Sequence, residues 1–519
     1  MHPVDVFLIA AYLATLVGIS LRFYGRQRTT DAYFVAGRSV PGWAAGLSLL
    51  ATTITSVTFI AYPGAAYAGD WSLLSPGIFF LLVILAVGPI VVPFLRHSVV
   101  MSVYEYFGRR FGRLVRMYAA LTVALGSFVK MGFVFYLLAL SAASCTGWSM
   151  GWLIAVLGAI TVFYTLMGGF SAVIWTDVVQ GFLLWAGMAV TLVILLFFSG
   201  ARPAAMVHLI ASSHKMSLGS MRFDLSQPTF WTLAIYGVFF YLQRYTADQS
   251  VVQRYLAARS DRGALRGMAL GASLCLPVWT GFMFIGSLLW ALYRLTGQTL
   301  PAGVTHVDQV FPLYMVSHMP SWVSGAFLAA LFGAAMSMVA SDLNCVGLIL
   351  VQDLHSQFYP RCTDAQRLRF GKLAIALCGL LAIAVALGLT YSHGSALALY
   401  YAATAILAGG LAGLFLLAFL FRRASRTAAL IAILSNLIFT TYAVLTLDGG
   451  KIVNLHGFNY PWSEYTIGAC GNVLFLAAGL FGTVLFPSRS DLALGYTLWD
   501  WLAQSKQRPL SPLPSGDPS

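Results

Sequence analysis

The sequence predicts an all-α protein that crosses a membrane many times, and three observations carry that prediction. Hydrophobic residues make up 59% of the 519 positions and charged residues 9%, with a mean hydropathy of +0.81; soluble globular domains carry about 25% charge. The apolar residues gather into runs of the length a bilayer requires, about 20 residues each. Basic residues fall in alternate short connections, so the net charge of +13 reads as a topology signal and not as a nucleic-acid footprint.

The apolar runs lie at 5–22, 43–68, 71–95, 115–145, 150–169, 172–200, 229–253, 267–295, 321–352, 370–391, 393–421, 427–447 and 465–486, which makes about thirteen spans. The first lacks a basic leader and a small-residue cleavage site, so it is expected to be kept as a span. Arg22, Arg26, Arg28 and Arg38 follow span one; Arg96, Arg109, Arg110, Arg113 and Arg116 follow span three. Arg254, Arg259, Arg262 and Arg266 follow span seven, Arg361, Arg367, Arg369 and Lys372 span nine, and Arg422, Arg423 and Arg426 span eleven. The positive-inside rule then places the N-terminus outside and the C-terminus in the cytoplasm of a plasma membrane, the inner one in a bacterium. Gly168-Gly169 is expected as a tight turn between spans, and the proline-rich tail 487–519 as disordered. Six cysteines in or beside apolar segments, without CxxC or metal-ligand spacing, read as packing residues. Nothing resembles a catalytic cluster, so a membrane enzyme is disfavoured, and no signalling domain follows residue 487 to suggest a solute sensor.

Two polar stretches break the apolar pattern. Gly46 to Gly64, GLSLLATTITSVTFIAYPG, holds Thr52, Thr53, Thr55, Ser56 and Thr58 and ends in Pro63-Gly64. Its β-branched run and terminal proline disfavour a straight helix, and backbone carbonyls freed there can face a small hard cation. Hydroxyls in membrane helices also bond back to their own helix, which is the alternative reading. In the second stretch, Ala334 to Asn344, helical spacing puts Ala334, Ser337 and Ser341 on one stripe, either a packing seam or the far side of an oxygen cage facing Ala51 and Ile54.

Ionisable residues inside spans are functional candidates because lipid makes them costly. Lys130 sits mid-span and reads either as a counter-charge for an anionic solute or as the partner of a buried carboxylate. Asp177 is either a cation ligand or the partner of a loop arginine. Arg244 and Asp248, four apart, suit a structural helical pair, and Asp353 is expected at the interface facing the basic loop after it. Span seven carries a polar interruption, FFYLQRYTADQS, five spans after the threonine cluster, and irregular spans at matching positions of two halves point to a transporter site.

The pieces YFVAGRSVPGW, LATTITSVTFIAYPG, YTLMGGFSAVIWTDVVQ, DQSVVQRYLAAR and LAALFGAAMSMVASDLN followed by VQDL, in that order, resemble the sodium:solute symporter family over about residues 5–486. Within the family, ATTITSVTF, AYAGDW and Lys130 are most similar to the sialic acid branch. The resemblance implies one transporter domain with a LeuT-like 5+5 inverted repeat. Repeat one would cover about 43–200 and repeat two about 229–421, with extra spans at 5–22, 427–447 and 465–486. It implies Na+ as coupling ion, bound by the backbone oxygens of Ala51, Ile54 and Ala334 and the hydroxyl of Ser337. Met338 stands where a second hydroxyl ligand is usual, and a thioether suits a hard cation poorly. A second sodium would use Asp177 and Ser341, with Ala340 replacing one oxygen. Thr53, Thr55 and Thr58 would bind the solute, Lys130 its carboxylate, and Tyr241 and Tyr245 would line or gate the site. The expected activity is sodium-coupled uptake of a small organic acid, sialic acid or a relative; the alternative keeps the fold with proton coupling or none.

Overall fold

A computed structural model describes residues 2–54, 56–298, 307–391, 409–447, 452–488 and 496–507. The described residues are helices and connections, with one isolated β-bridge between Val40 and Ala258. The first six helices are α1 (Pro3–Tyr24), α2 (Thr30–Val35), α3 (Gly42–Thr53), α4 (Ser56–Ala68), α5 (Ser75–Ser98) and α6 (Tyr104–Phe111). They are followed by α7 (Arg113–Thr146), α8 (Met150–Phe197), α9 (Pro203–Ser212), α10 (Phe230–Thr246), α11 (Gln249–Leu256) and α12 (Asp261–Thr296). The remainder are α13 (Val310–His318), α14 (Ser321–Ile349), α15 (Asp364–Leu389), α16 (Leu411–Leu420), α17 (Arg426–Leu445), α18 (Glu464–Leu485) and α19 (Leu498–Gln507). Among these, nine helices are long and apolar enough to cross a bilayer, and the pair α3 and α4 adds a broken tenth.

Local chemistry sets the boundaries. Asp248 caps α11, Ser260 caps α12 and Thr363 caps α15, each accepting from a backbone N–H of the first turn that has no partner inside the helix. α8 runs 48 residues, too long for one crossing, and Gly169 divides it at φ 55°, ψ −159°, a conformation open only to glycine. The expected Gly168-Gly169 turn is therefore present. Most of the residues expected in the span 393–421 lie outside the described residues, and only α16 represents it.

α14 is the central helix. It runs into a π-helical turn, Leu350–His355, is buried almost throughout, and packs on α1, α3, α7, α8 and α15. Opposite it, α12 holds both halves of the broken span. Gly42 and Gly46 of α3 meet Gly263, Gly267 and Gly271 of α12 so closely that a Cβ on Gly46 would lie 2.4 Å from the Gly267 carbonyl oxygen. Further along, a Cβ on Gly286 would lie 2.1 Å from the carbonyl oxygen of Pro63 on α4. Lipid supplies no hydrophobic force between helices, so such close backbone approach is what holds them together.

The structure corrects several expectations. The break in span two begins at Ile54, within the threonine cluster, whereas Pro63 and Gly64 sit inside α4. Pro63 lies inside α4, past the first turn, and removes an interior i→i−4 hydrogen bond; its carbonyl packs directly against Gly286 of α12. Arg254 and Arg110 are buried rather than exposed loop cations; Arg110 donates to the carbonyls of Ala418, Phe421, Arg422 and Ala424 at the end of α16. Asp353 is fully buried and pairs with Arg116 of α7 at 2.8 Å, not with the loop that follows it. Part of the tail expected to be disordered forms α19, where Trp499 Nε1 donates to the Leu420 carbonyl and Asp500 pairs with Arg422 at 2.8 Å.

Candidate functional site

Helix α3 stops because Ile54 turns to an extended conformation (φ −88°, ψ 108°), and α4 leaves at 55° to it. A stopped helix leaves its last carbonyls without i+4 donors. One of them, Thr52 O, accepts a hydrogen bond from Arg244 Nη2 at 2.9 Å. Arg244 closes α10 beside the second break, at Ala247-Asp248, so the two interrupted spans meet at their interruptions.

On its other flank the α3 break faces α14 across a small cavity of about 10 Å³, lined by Ala51, Ile54, Phe59, Gln180, Leu184, Ala330 and Ala334. That volume holds one water-sized or smaller occupant. Three of the four residues expected around the first sodium thus line one space. The fourth, Ser337, one turn beyond Ala334, is not among the lining residues, and its hydroxyl donates to Asp177 Oδ1. Met338 is buried beside it.

Asp177 belongs to a dry ionic lattice. Ser48 Oγ donates to its Oδ2 at 2.5 Å, and Arg254 Nη2 lies 2.9 Å from the same oxygen. Arg254 also donates to Ser341 Oγ at 2.6 Å and to the Ser48 hydroxyl at 2.8 Å. Both Asp177 and Arg254 side chains are 0% exposed. Of the two readings of Asp177, the arginine pair is the one present, and the guanidinium fills the polar space between Asp177 and Ser341 where a second cation was expected.

The second cluster is looser. Lys130 Nζ lies 2.9 Å from Asp342 Oδ1, with Lys130 15% exposed. Arg244 and Asp248 stand 3.9 Å apart and 12% and 23% exposed, and all four groups bear on one another. Asp342 was not singled out in the sequence; the signal was Lys130 itself, since a mid-span cation calls for an anion nearby.

The threonines divide. Thr53 Oγ1 donates to Leu49 O at 2.8 Å, the back-bonded arrangement, which leaves its lone pairs facing Tyr245 and Cys275. Thr58 is buried on α4, one residue before Phe59 of the cavity wall. Thr55 lies outside the described residues. Tyr241 and Tyr245 are buried against Phe80, with ring centroids 4.4 and 5.6 Å from it, and Phe80 in turn packs edge-on to Trp279. These rings form one aromatic cluster shared by α5, α10 and α12. Gly77 admits Trp279, because a Cβ there would lie 2.6 Å from the indole.

Comparison with known proteins places the chain. The sodium:solute symporter family model matches residues 33–435. A sodium/sialic acid symporter of Proteus mirabilis is 29% identical over 494 residues, covering 95% of this chain and 97% of that protein. One from Aliivibrio fischeri is 31% identical over 440 residues, covering 82% of this chain and 85% of its own. A solved structure of a Na+-coupled sialic acid symporter, substrate-bound and outward-open, superposes with a TM-score of 0.85 at 29% identity, covering 94% of this chain and 99% of that one. The inward-facing form of the transporter Mhp1, at 17% identity and TM-score 0.53, covers 91% of this chain and 96% of its own, and shares the fold alone. The chain is a multi-pass membrane transporter, not an enzyme, and belongs to the sodium:solute symporter family.

Proposed function

We propose that the protein couples entry of one sodium ion to import of a small organic acid of the sialic acid type, by alternating access. The observation that carries this reading is the junction of the broken α3–α4 span with α14, where Ala51, Ile54 and Ala334 line a space of single-ion size. An inward-negative potential supplies about 2.3 kcal/mol per charge per 100 mV. Sodium bound across that junction favours the state that exposes the solute site, and ion and solute then tighten each other by the same factor.

Solute recognition falls to Thr53, Thr58, Tyr241, Tyr245 and the Lys130 cluster, with Thr55 completing the hydroxyl run. A solute carboxylate reaches Lys130 by taking over from Asp342, the anion that now holds it. That pairing also favours a second reading, in which the four-group cluster is a neutral structural unit and the solute carries no net charge. In this reading of the topology, about thirteen spans form two inverted repeats at 43–200 and 229–421, each opening on one of the two broken spans. The N-terminus lies outside and the C-terminus inside.

Uptake into proteoliposomes decides between the readings. A sodium gradient is expected to drive sialic acid or a related carboxylate inward where a potassium gradient does not. Lys130→Met is expected to lower carboxylate uptake at least tenfold while sparing a neutral analogue. Equal loss of both would leave the lysine a structural residue.

A further inference from the structure

Gln180, on α8 one turn beyond Asp177, is the one residue with a polar side chain among the described residues lining the α3–α14 cavity. It is 5% exposed. Its Nε2 donates to the Tyr12 hydroxyl at 2.8 Å, whereas its Oε1 is buried without a hydrogen-bond partner. A buried amide oxygen left unpaired destabilises the fold unless something occupies the space it faces. A water in the cavity would want two to four polar partners, including acceptors for its hydrogens as well as donors. The cavity wall offers acceptors: one amide oxygen and the carbonyls at the end of a stopped helix. Oxygen acceptors gathered in this way suit a cation.

Tyr12 anchors the amide at its nitrogen end. It enters from α1, outside the two repeats proposed above, and passes over Gly333 of α14, where a Cβ would lie 2.4 Å from its hydroxyl oxygen. With Nε2 held by that hydroxyl, the carbonyl end is left for the cavity.

We infer that Gln180 is a side-chain oxygen ligand of the sodium ion in the Ala51–Ile54–Ala334 cavity, held in register by Tyr12 of the first span. This rests on the sodium site proposed above, and it goes further by naming the neutral oxygen that stands in for the one Met338 does not supply. Gln180 then adds a side-chain oxygen from α8 to the ligands expected on α3 and α14, where the Ser337 hydroxyl donates its hydrogen to Asp177.

The test is a sodium titration of thermal stability, against potassium at constant ionic strength, on the purified full-length protein. Wild type, Gln180→Leu, Gln180→Glu and Tyr12→Phe are compared. Gln180→Leu is expected to raise the half-saturating sodium concentration at least tenfold and Tyr12→Phe about threefold. Gln180→Glu, which keeps an oxygen there, is expected to stay at or below the wild-type value. Solute affinity at saturating sodium is expected to stay within twofold throughout. A merely structural glutamine would lower the sodium-free melting temperature and leave the half-saturating concentration where it was, which overturns the inference. If Gln180→Leu does not fold, Tyr12→Phe decides in its place: a half-saturation unchanged from wild type overturns the inference. If wild type gains nothing from sodium over potassium, the site itself falls and the ligand with it; if wild type responds and the variants respond identically, only the ligand falls.

Discussion

The two charged clusters flanking the α3 break differ in how completely they are closed. Around Asp177 both charges are sealed from solvent, and each carboxylate oxygen accepts at least one hydrogen bond, from Ser48, Ser337 or Arg254. Around Lys130 the cations are partly exposed, and two buried atoms, Asp342 Oδ2 and Arg244 Nε, lack hydrogen-bond partners. The first arrangement is a fastening and the second has bonding capacity left over. A transport site needs the second kind, since a ligand can be gripped only by groups not already spent on the protein.

The sharpest way to break this contrast is Arg254→Met. It strands Asp177 without its cation in a dry site, and removing one partner of such a pair costs roughly 3–5 kcal/mol. The expected outcome is a large fall in the melting temperature of the purified protein, whether or not sodium and solute are present. A fall confined to sodium-free conditions would show that a sodium ion can replace the guanidinium.

A smaller effect is expected at the looser cluster. Lys130→Met leaves Asp342 with only Arg244 nearby and should destabilise by about 1–2 kcal/mol. The double variant with Asp342→Asn should recover most of that loss, since paired groups couple by about 0.5–3 kcal/mol. Additive losses in the thermal unfolding of the four proteins would show that the 2.9 Å contact contributes little and that Asp342 serves another partner.

Much of this was legible in the sequence, for identifiable reasons. The interruption of span two was legible in its β-branched run of hydroxyls, and helical spacing gave the Ala334 stripe, whereas its meeting with Ala51 and Ile54 was what the family resemblance implied. The point at which the chain breaks was not legible. Pro63-Gly64 is the stronger local signal, yet Pro63 is accommodated inside α4, and the chain parts at Ile54 instead. Arg254 was hidden for a different reason. Counting basic residues by position puts it in a loop, but α11 is the second half of an interrupted span and folds the guanidinium inward. Asp342 and Gln180 escaped because each looks unremarkable in a polar run; only the third dimension shows Lys130 facing one and a partnerless oxygen on the other.

The glycine contact between α3 and α12 bears on how such a carrier can open. Main chain laid directly against main chain has no side chains to re-rotamerise, so it can neither roll nor slip by small steps. Both halves of the interrupted span are pinned in this way, by Gly46 against Gly267 and by Pro63 against Gly286. Such pinning predicts that the three helices move together and that the alanine-lined seam facing α14 is the one to part. Spin-label distances from α3 to α12 are expected to hold constant between sodium and potassium while those from α3 to α14 shift. On the sodium site proposed above, the ion would be the rivet at that joint, and its departure would release the cargo.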